Sequence, residues 1–121
     1  MDKMISWFEI PVTDLERAKK FYSDIFDIKM DIQNFGGFDM AFFPQNMHIS
    51  GALCKGDGYV PSQTGTLLYL NGGKDLSEVL MRIENAGGKI IVPKTQITPE
   101  YGYFAIFIDT EGNKMALHSD E

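Results

Sequence analysis

The chain has 121 residues, and 17 acidic against 11 basic side chains give it a formal net charge of −6 at pH 7. A chain of this length is expected to form one domain with a core and room for one cavity. The acidic balance, without a run of Lys or Arg, argues against a nucleic-acid partner.

The sequence also argues against a membrane partner or an exported protein. No segment has the apolar length needed to cross a bilayer, and residues 1–4 lead directly into the first predicted strand rather than into a signal-peptide core. We therefore predict a cytoplasmic protein. The single cysteine, Cys54, has no second cysteine for a disulfide or a metal site, and we expect a reduced, packed thiol.

The first half of the chain predicts a strand, a helix and three further strands. Alternation over residues 7–12 predicts the first strand, and Thr13 with Glu16 predicts a capping box at the start of the helix. The helix has apolar residues at helical spacing, which are Leu15, Ala18, Phe21, Tyr22 and Ile25. An antiparallel meander is predicted to follow, over residues 28–33, 38–43 and 47–54.

The second half repeats this order after a loop over residues 55–65 that contains Gly56, Gly58, Pro61 and Gly65. A strand is predicted over residues 67–70 and a helix over residues 76–86, with Asp75 and Glu78 as its cap. Three more strands are predicted over residues 89–92, 103–108 and 114–119. The loop, with Tyr59, is either a cover for a cavity or only a tether.

Each half is therefore predicted to be a βαβββ module, one over residues 1–54 and the other over residues 66–121. The repeat aligns Asp14 with Asp75 at an offset of 61 and Gly51 with Ala116 at an offset of 65. We predict an α+β fold of two curved, mostly antiparallel half-barrel sheets with the helices on the outer face. Their other faces would enclose a ligand or pack against each other.

Three motifs carry a family resemblance: IPVTDL at residues 10–15, the stretch from Asp75-Leu76 to Gly87-Gly88-Lys89, and DTEGNK at residues 109–114. In this order they resemble the vicinal oxygen chelate superfamily, which includes glyoxalase I, extradiol dioxygenases, fosfomycin-resistance enzymes and bleomycin-resistance proteins. Residues 93–95, 102–104 and 117–119 are similar to a bacterial group related to lactoylglutathione lyase. The resemblance implies a single glyoxalase-like domain over residues 1–121 and a homodimer that forms its sites between subunits.

The resemblance also implies a divalent metal held by His, Gln or Glu side chains from four strands. At the corresponding positions this chain has residues without a donor group: Trp7, Gly51, Leu67 and Ala116. A shift of one residue at Gly51 would place Ser50 or Ala52 there, and neither restores the site. We expect no metal, no other cofactor and no metal-dependent glyoxalase I activity.

Strand residues two apart share a face, so the cavity face is expected to add Glu9, Leu53, Tyr69 and His118. Glu9 and His118 could act as an acid and base pair. Alternatively, they satisfy each other, or His118 is exposed near the C-terminus. Because side chains alternate between the two faces of a strand, His48 is expected on the face opposite to that of Gly51.

Three functions remain open at this point. The first is a metal-independent protein that binds a small apolar or aromatic molecule through Trp7, Phe42, Gly51, Leu53, Leu67, Tyr69 and Ala116. The second is a lyase or isomerase with Glu9 as base and His118 as acid, and the third is an assembly module without a ligand. Trp7 opposite Gly51 either forms a slot for a planar ligand or fills the cavity.

Overall fold

The structure is a computed structural model that describes residues 3–46 and 50–121. The predicted βαβββ order occurs in both halves. The first half contains β1 (Trp7–Pro11), α1 (Leu15–Phe26), β2 (Asp31–Phe35), β3 (Phe38–Phe42) and β4 (Ser50–Lys55). The second half contains β5 (Tyr69–Asn71), α2 (Ser77–Ile83), β6 (Lys89–Thr98), β7 (Gly102–Ile108) and β8 (Lys114–Ser119).

Each half forms a four-stranded mixed sheet. Sheet A has the order β1-β4-β3-β2, and sheet B has the order β5-β8-β7-β6. In both sheets the first strand runs parallel to the last one, and the other two pairs are antiparallel. The predicted α+β fold is confirmed.

Helix α1 buries the five residues that its periodicity predicted. It begins differently from the prediction, because Asp14 and not Thr13 is the N-cap and accepts a hydrogen bond from the Arg17 amide at 3.0 Å. Thr13 donates its amide and hydroxyl hydrogens to the Glu111 carboxylate instead. The prediction of a capping box between Thr13 and Glu16 is therefore wrong, because the Thr13 amide and hydroxyl both form hydrogen bonds with Glu111 from the other half of the chain.

Helix α2 is shorter than predicted, and β6 is longer. The carboxylate of Asp75 accepts hydrogen bonds from the Ser77 amide and the Lys94 ammonium group rather than completing a box with Glu78. Strand β6 continues through Pro93, which is possible because β6 is an outer strand of its sheet.

One hydrophobic core joins the two halves on the helix side of the sheets. At its centre, the rings of Phe21 in α1 and Phe107 in β7 lie 6.1 Å apart. Beside them the buried Tyr22 hydroxyl donates to the Asp109 carboxylate at 2.7 Å. Each helix thus packs on its own sheet and against the other helix, and the opposite face of each sheet points away from this core.

The turn over residues 109–113 connects the second half of the chain to the first through hydrogen bonds and an ion pair. The Glu111 carboxylate accepts from the Asp14 amide at 2.8 Å and from Arg17 Nε at 2.7 Å, in addition to Thr13. The Asn113 amide group donates to the Pro11 carbonyl at 2.7 Å. The DTEGNK motif therefore has a structural role, because its Glu111 and Asn113 side chains form hydrogen bonds with the first half of the chain.

No helix within residues 3–46 and 50–121 is long and apolar enough to cross a membrane. The cytoplasmic location and the domain boundaries drawn from the sequence stay predictions.

Candidate functional site

The face of sheet A that points away from α1 carries a group of aromatic side chains. We call it the aromatic face and define it by Trp7, Phe35, Phe38, Phe42 and Tyr59. The first four residues share one side of the sheet by strand register, and Tyr59 reaches it from the loop after β4.

The rings of this face contact one another in tilted and edge-on arrangements. Trp7 lies 5.9 Å from Phe42, Phe35 lies 6.1 Å from Phe42, and Phe38 lies 6.0 Å from Tyr59. Trp7 keeps 39% of its surface exposed, Phe35 51% and Phe38 38%. Large apolar side chains in one exposed group are characteristic of a surface that binds something. Trp7 is therefore not packed into the cavity beside it, because much of its ring stays exposed to solvent.

The expected place of Gly51 and Leu53 on this face is wrong. Gly51 pairs with Phe8 in the β1–β4 ladder, and a Cβ added to Gly51 would run into the Phe8 ring and carbonyl. Leu53 is fully buried in the core with Ile10. Both residues therefore point toward the helix, and Ser50 and Ala52 lie on the side of Trp7 and Glu9.

The strand register also changes one of the four positions implied for a metal. Glu9 is opposite Ala52, and Tyr69 is opposite Ala116, so Ala52 rather than Gly51 corresponds to Ala116. The resulting set is Trp7, Ala52, Leu67 and Ala116, whose side chains offer no metal donor. Residues 3–46 and 50–121 contain no group of three His, Cys, Asp or Glu side chains that could hold a metal ion. The residues present do not fit a divalent metal at this position.

Glu9 lies at the edge of the aromatic face and pairs with the loop. The Tyr59 hydroxyl donates to Glu9 Oε1 at 2.6 Å, and this hydrogen bond is the main cause that raises the pKa of Tyr59 to about 12. Burial, reinforced by the Glu9 charge, raises the pKa of the neighbouring Cys54 thiol to about 12. Cys54 is thus a neutral, packed thiol, and the loop covers part of the aromatic face through Tyr59.

His118 lies in the other sheet, opposite Asn71 and Phe104. Its Nε2 is 2.6 Å from the Tyr101 carbonyl oxygen. Within the described residues no hydrogen bond joins Glu9 to His118, since each has a different partner. The structure therefore does not bring the two together as a hydrogen-bonded pair.

The remaining predicted ligand residues belong to the second half. Tyr69 is 50% exposed, Leu67 is half-buried just before β5, and Ala116 is fully buried beneath its neighbours. His48 lies outside the described residues. Sequence reasoning missed Phe35 and Phe38, although their position on either side of the Gly36-Gly37 turn places them opposite each other in a hairpin.

Comparisons with known proteins agree with this fold. The sequence profile of the Glyoxalase/Bleomycin resistance protein/Dioxygenase superfamily matches residues 4–117. A glyoxylase-like domain-containing protein from Didymella fabae is 33% identical over 118 residues, which are 93% of this chain and 91% of that protein.

Solved structures show the same fold at lower identity. The antibiotic binding protein TnmS3 from Streptomyces sp. CB03234 has a TM-score of 0.69 and 23% identity, and the match covers 98% of this chain and 97% of that one. A glyoxalase I variant from Zea mays has a TM-score of 0.75 and 21% identity over 97% of this chain, which spans only 45% of the maize protein. The resemblance drawn from the sequence motifs is confirmed, and the chain belongs to the Glyoxalase/Bleomycin resistance protein/Dioxygenase superfamily.

Proposed function

We propose that this protein binds a small apolar or aromatic molecule on the aromatic face of sheet A without using a metal ion. The observation that carries the proposal is the exposed group of rings around Phe42, where the family places a metal site and this chain has no donor side chain. Offset and edge-on ring contacts give planar molecules a favourable place to pack.

A second copy of the chain would close this site. The aromatic face is open to solvent, and Tyr69 on the corresponding face of sheet B is also half exposed. We propose that the two open faces meet in a homodimer, because such a contact removes exposed apolar surface from water. TnmS3, which has this fold, is an antibiotic binding protein, and this supports a ligand-binding role for the present chain.

Titration of Trp7 fluorescence with a panel of uncharged polycyclic aromatic compounds tests the proposal. Trp7 is the only tryptophan in the sequence and lies on the aromatic face, so its fluorescence responds to a ligand bound there. The variant F42A removes a ring in contact with both Trp7 and Phe35, and we expect it to weaken binding roughly tenfold or more. The matched control M81Q alters an exposed apolar residue of α2 and should bind as the wild type does.

Absence of binding by the wild type, or equal affinity in F42A, would contradict the proposal. Light scattering on the same samples measures the dimer, and a monomer at all concentrations would contradict closure by a second copy.

The proton-transfer alternative makes a different prediction for Glu9. A lyase or isomerase that uses Glu9 as base loses turnover in E9Q, whereas a binding protein keeps its affinity because Glu9 lies at the edge of the rings. No described contact between Glu9 and His118 favours the enzymatic role, so binding is the function put forward.

A further inference from the structure

A separate cavity of about 770 Å³ lies on the opposite side of β1, where the two halves of the chain meet. We call it the seam cavity. Its apolar lining comes from both halves of the chain, namely Ile5, Phe8, Phe26, Ile28, Phe43, Leu68, Leu70 and Val79. Phe8 follows Trp7 in a strand, so this lining and the aromatic face are on different sides of sheet A.

The seam cavity exists because the two sheets do not join. Strands β1 and β5 are each the outer strand of their own sheet, and residues of both line the cavity. Several lining side chains, including Phe8, Phe26 and Leu68, remain only half-buried although they contact the core. An apolar occupant of a cavity of this size would cover surface that the fold leaves exposed.

Two charged residues of α2 line this cavity, Glu78 and Arg82, and Arg82 is its only cation among the described residues. Arg82 Nη1 donates to the Ile25 carbonyl at 3.0 Å, which holds the guanidinium group at the end of α1 next to Phe26. A guanidinium group has five N–H donors, and this contact uses one of them. Glu78, one turn earlier on the same helix, attracts Arg82 and competes with a bound anion for its remaining donors.

We propose that the seam cavity binds an apolar molecule that carries one anionic group, with the apolar body between Phe8, Leu68 and Val79 and the anionic group at Arg82. A guanidinium group in a mostly apolar setting pairs strongly with a carboxylate or sulfonate. The apolar lining around Phe8 lies on the other side of sheet A from the aromatic face, and Tyr69 borders both the cavity and the face proposed for the dimer contact.

Two fluorescent probes of similar shape test this inference in the full chain. One is 1-anilinonaphthalene-8-sulfonate, which has the predicted chemistry, and the other is its uncharged analogue N-phenyl-1-naphthylamine. We expect part of the binding of both probes to remain in F42A, and V79F to weaken that part about tenfold by filling the cavity. If V79F does not fold, L68F fills the same space from β5.

The variant R82Q tests the charged end. We expect it to weaken the sulfonate probe several-fold and to leave the uncharged probe unchanged, and R82K should restore part of the loss. The control M81Q changes the residue directly before Arg82, which is 74% exposed, and should alter the binding of neither probe.

Three results would overturn the inference. The first is that neither probe binds the wild type. The second is that F42A weakens the probes while V79F and L68F do not, which places them on the aromatic face. The third is an equal effect of R82Q on both probes, which removes the role of the anionic group.

Discussion

Replacement of Glu111 by Gln tests how much the hydrogen bonds and the ion pair of Glu111 with the first half of the chain contribute to stability. The Glu111 side chain is fully buried, and its two oxygens accept from Arg17, Thr13, Asp14 and Thr110. In E111Q one oxygen becomes an NH₂ group. That group would then face the Arg17 guanidinium, with donor against donor, and the charge that attracts Arg17 is lost.

The magnitude follows from the acidity of this carboxyl group. Burial by itself raises the pKa of Glu111, but hydrogen bonds from Arg17 and from the Asp14 and Thr13 amides outweigh it and lower the pKa from 4.5 to about 2. A lowering of that size corresponds to roughly 3 kcal/mol of folding free energy. Arg17 is half exposed, so solvent screens part of the attraction, and we expect E111Q to lose about 2 kcal/mol.

The pH dependence gives a second test with a defined sign. Because the pKa is lower in the folded state, the contribution is fully present above pH 4.5 and is lost as the pH falls toward about 2. The difference in unfolding free energy between wild type and E111Q should therefore be largest at neutral pH and shrink through this interval.

Urea unfolding followed by circular dichroism measures both quantities. The control E16Q removes an exposed carboxylate from the first turn of α1 and should change stability by less than about 0.5 kcal/mol. Two results would contradict this estimate for the Glu111 contacts. One is that E111Q is as stable as E16Q at pH 7, and the other is that the loss of unfolding free energy in E111Q does not decrease in acid.

The other predictions concern the core. In G51A the added methyl group overlaps the Phe8 carbonyl, a backbone atom that cannot rotate away, and urea unfolding should show a loss of about 2 kcal/mol or more; a neutral substitution would contradict the β1–β4 register. Cys54 is buried and the pKa of its thiol is about 12, so a thiol reagent should label it about 100-fold more slowly in native protein than in urea, and equal rates would show an accessible thiol. Y22F leaves the buried Asp109 carboxylate without the Tyr22 hydroxyl and should cost about 1–2 kcal/mol, whereas unchanged stability would show that this hydrogen bond contributes little.

The order of elements could be predicted from the sequence because it depends on local periodicity. The apolar spacing from Leu15 to Ile25 identified the buried face of α1 correctly, and the repeat with the second half gave the βαβββ modules. The length of β6 could not be predicted, because Pro93 normally argues against a strand and is accepted here only at the sheet edge.

The candidate site was predicted less well, since it depends on register between distant strands. The first half was aligned at Gly51, and a shift of one residue exchanges the two faces of β4. The part played by Glu111 was also missed, because its partner Arg17 is 94 positions away in the sequence and nothing local indicates that contact. Trp7 and Phe42 were placed on one face correctly.

Pro93 and the irregular pairing of β6 affect how copies of the protein can associate. Pro93 has no amide hydrogen to offer an incoming strand, and register shifts occur on either side of it in the β6–β7 ladder. The outer edge of sheet B is therefore a poor template for growth of the sheet by a neighbouring molecule. Addition of a strand to β6 would leave the Pro93 position without a backbone donor and would have to follow the irregular register of this strand.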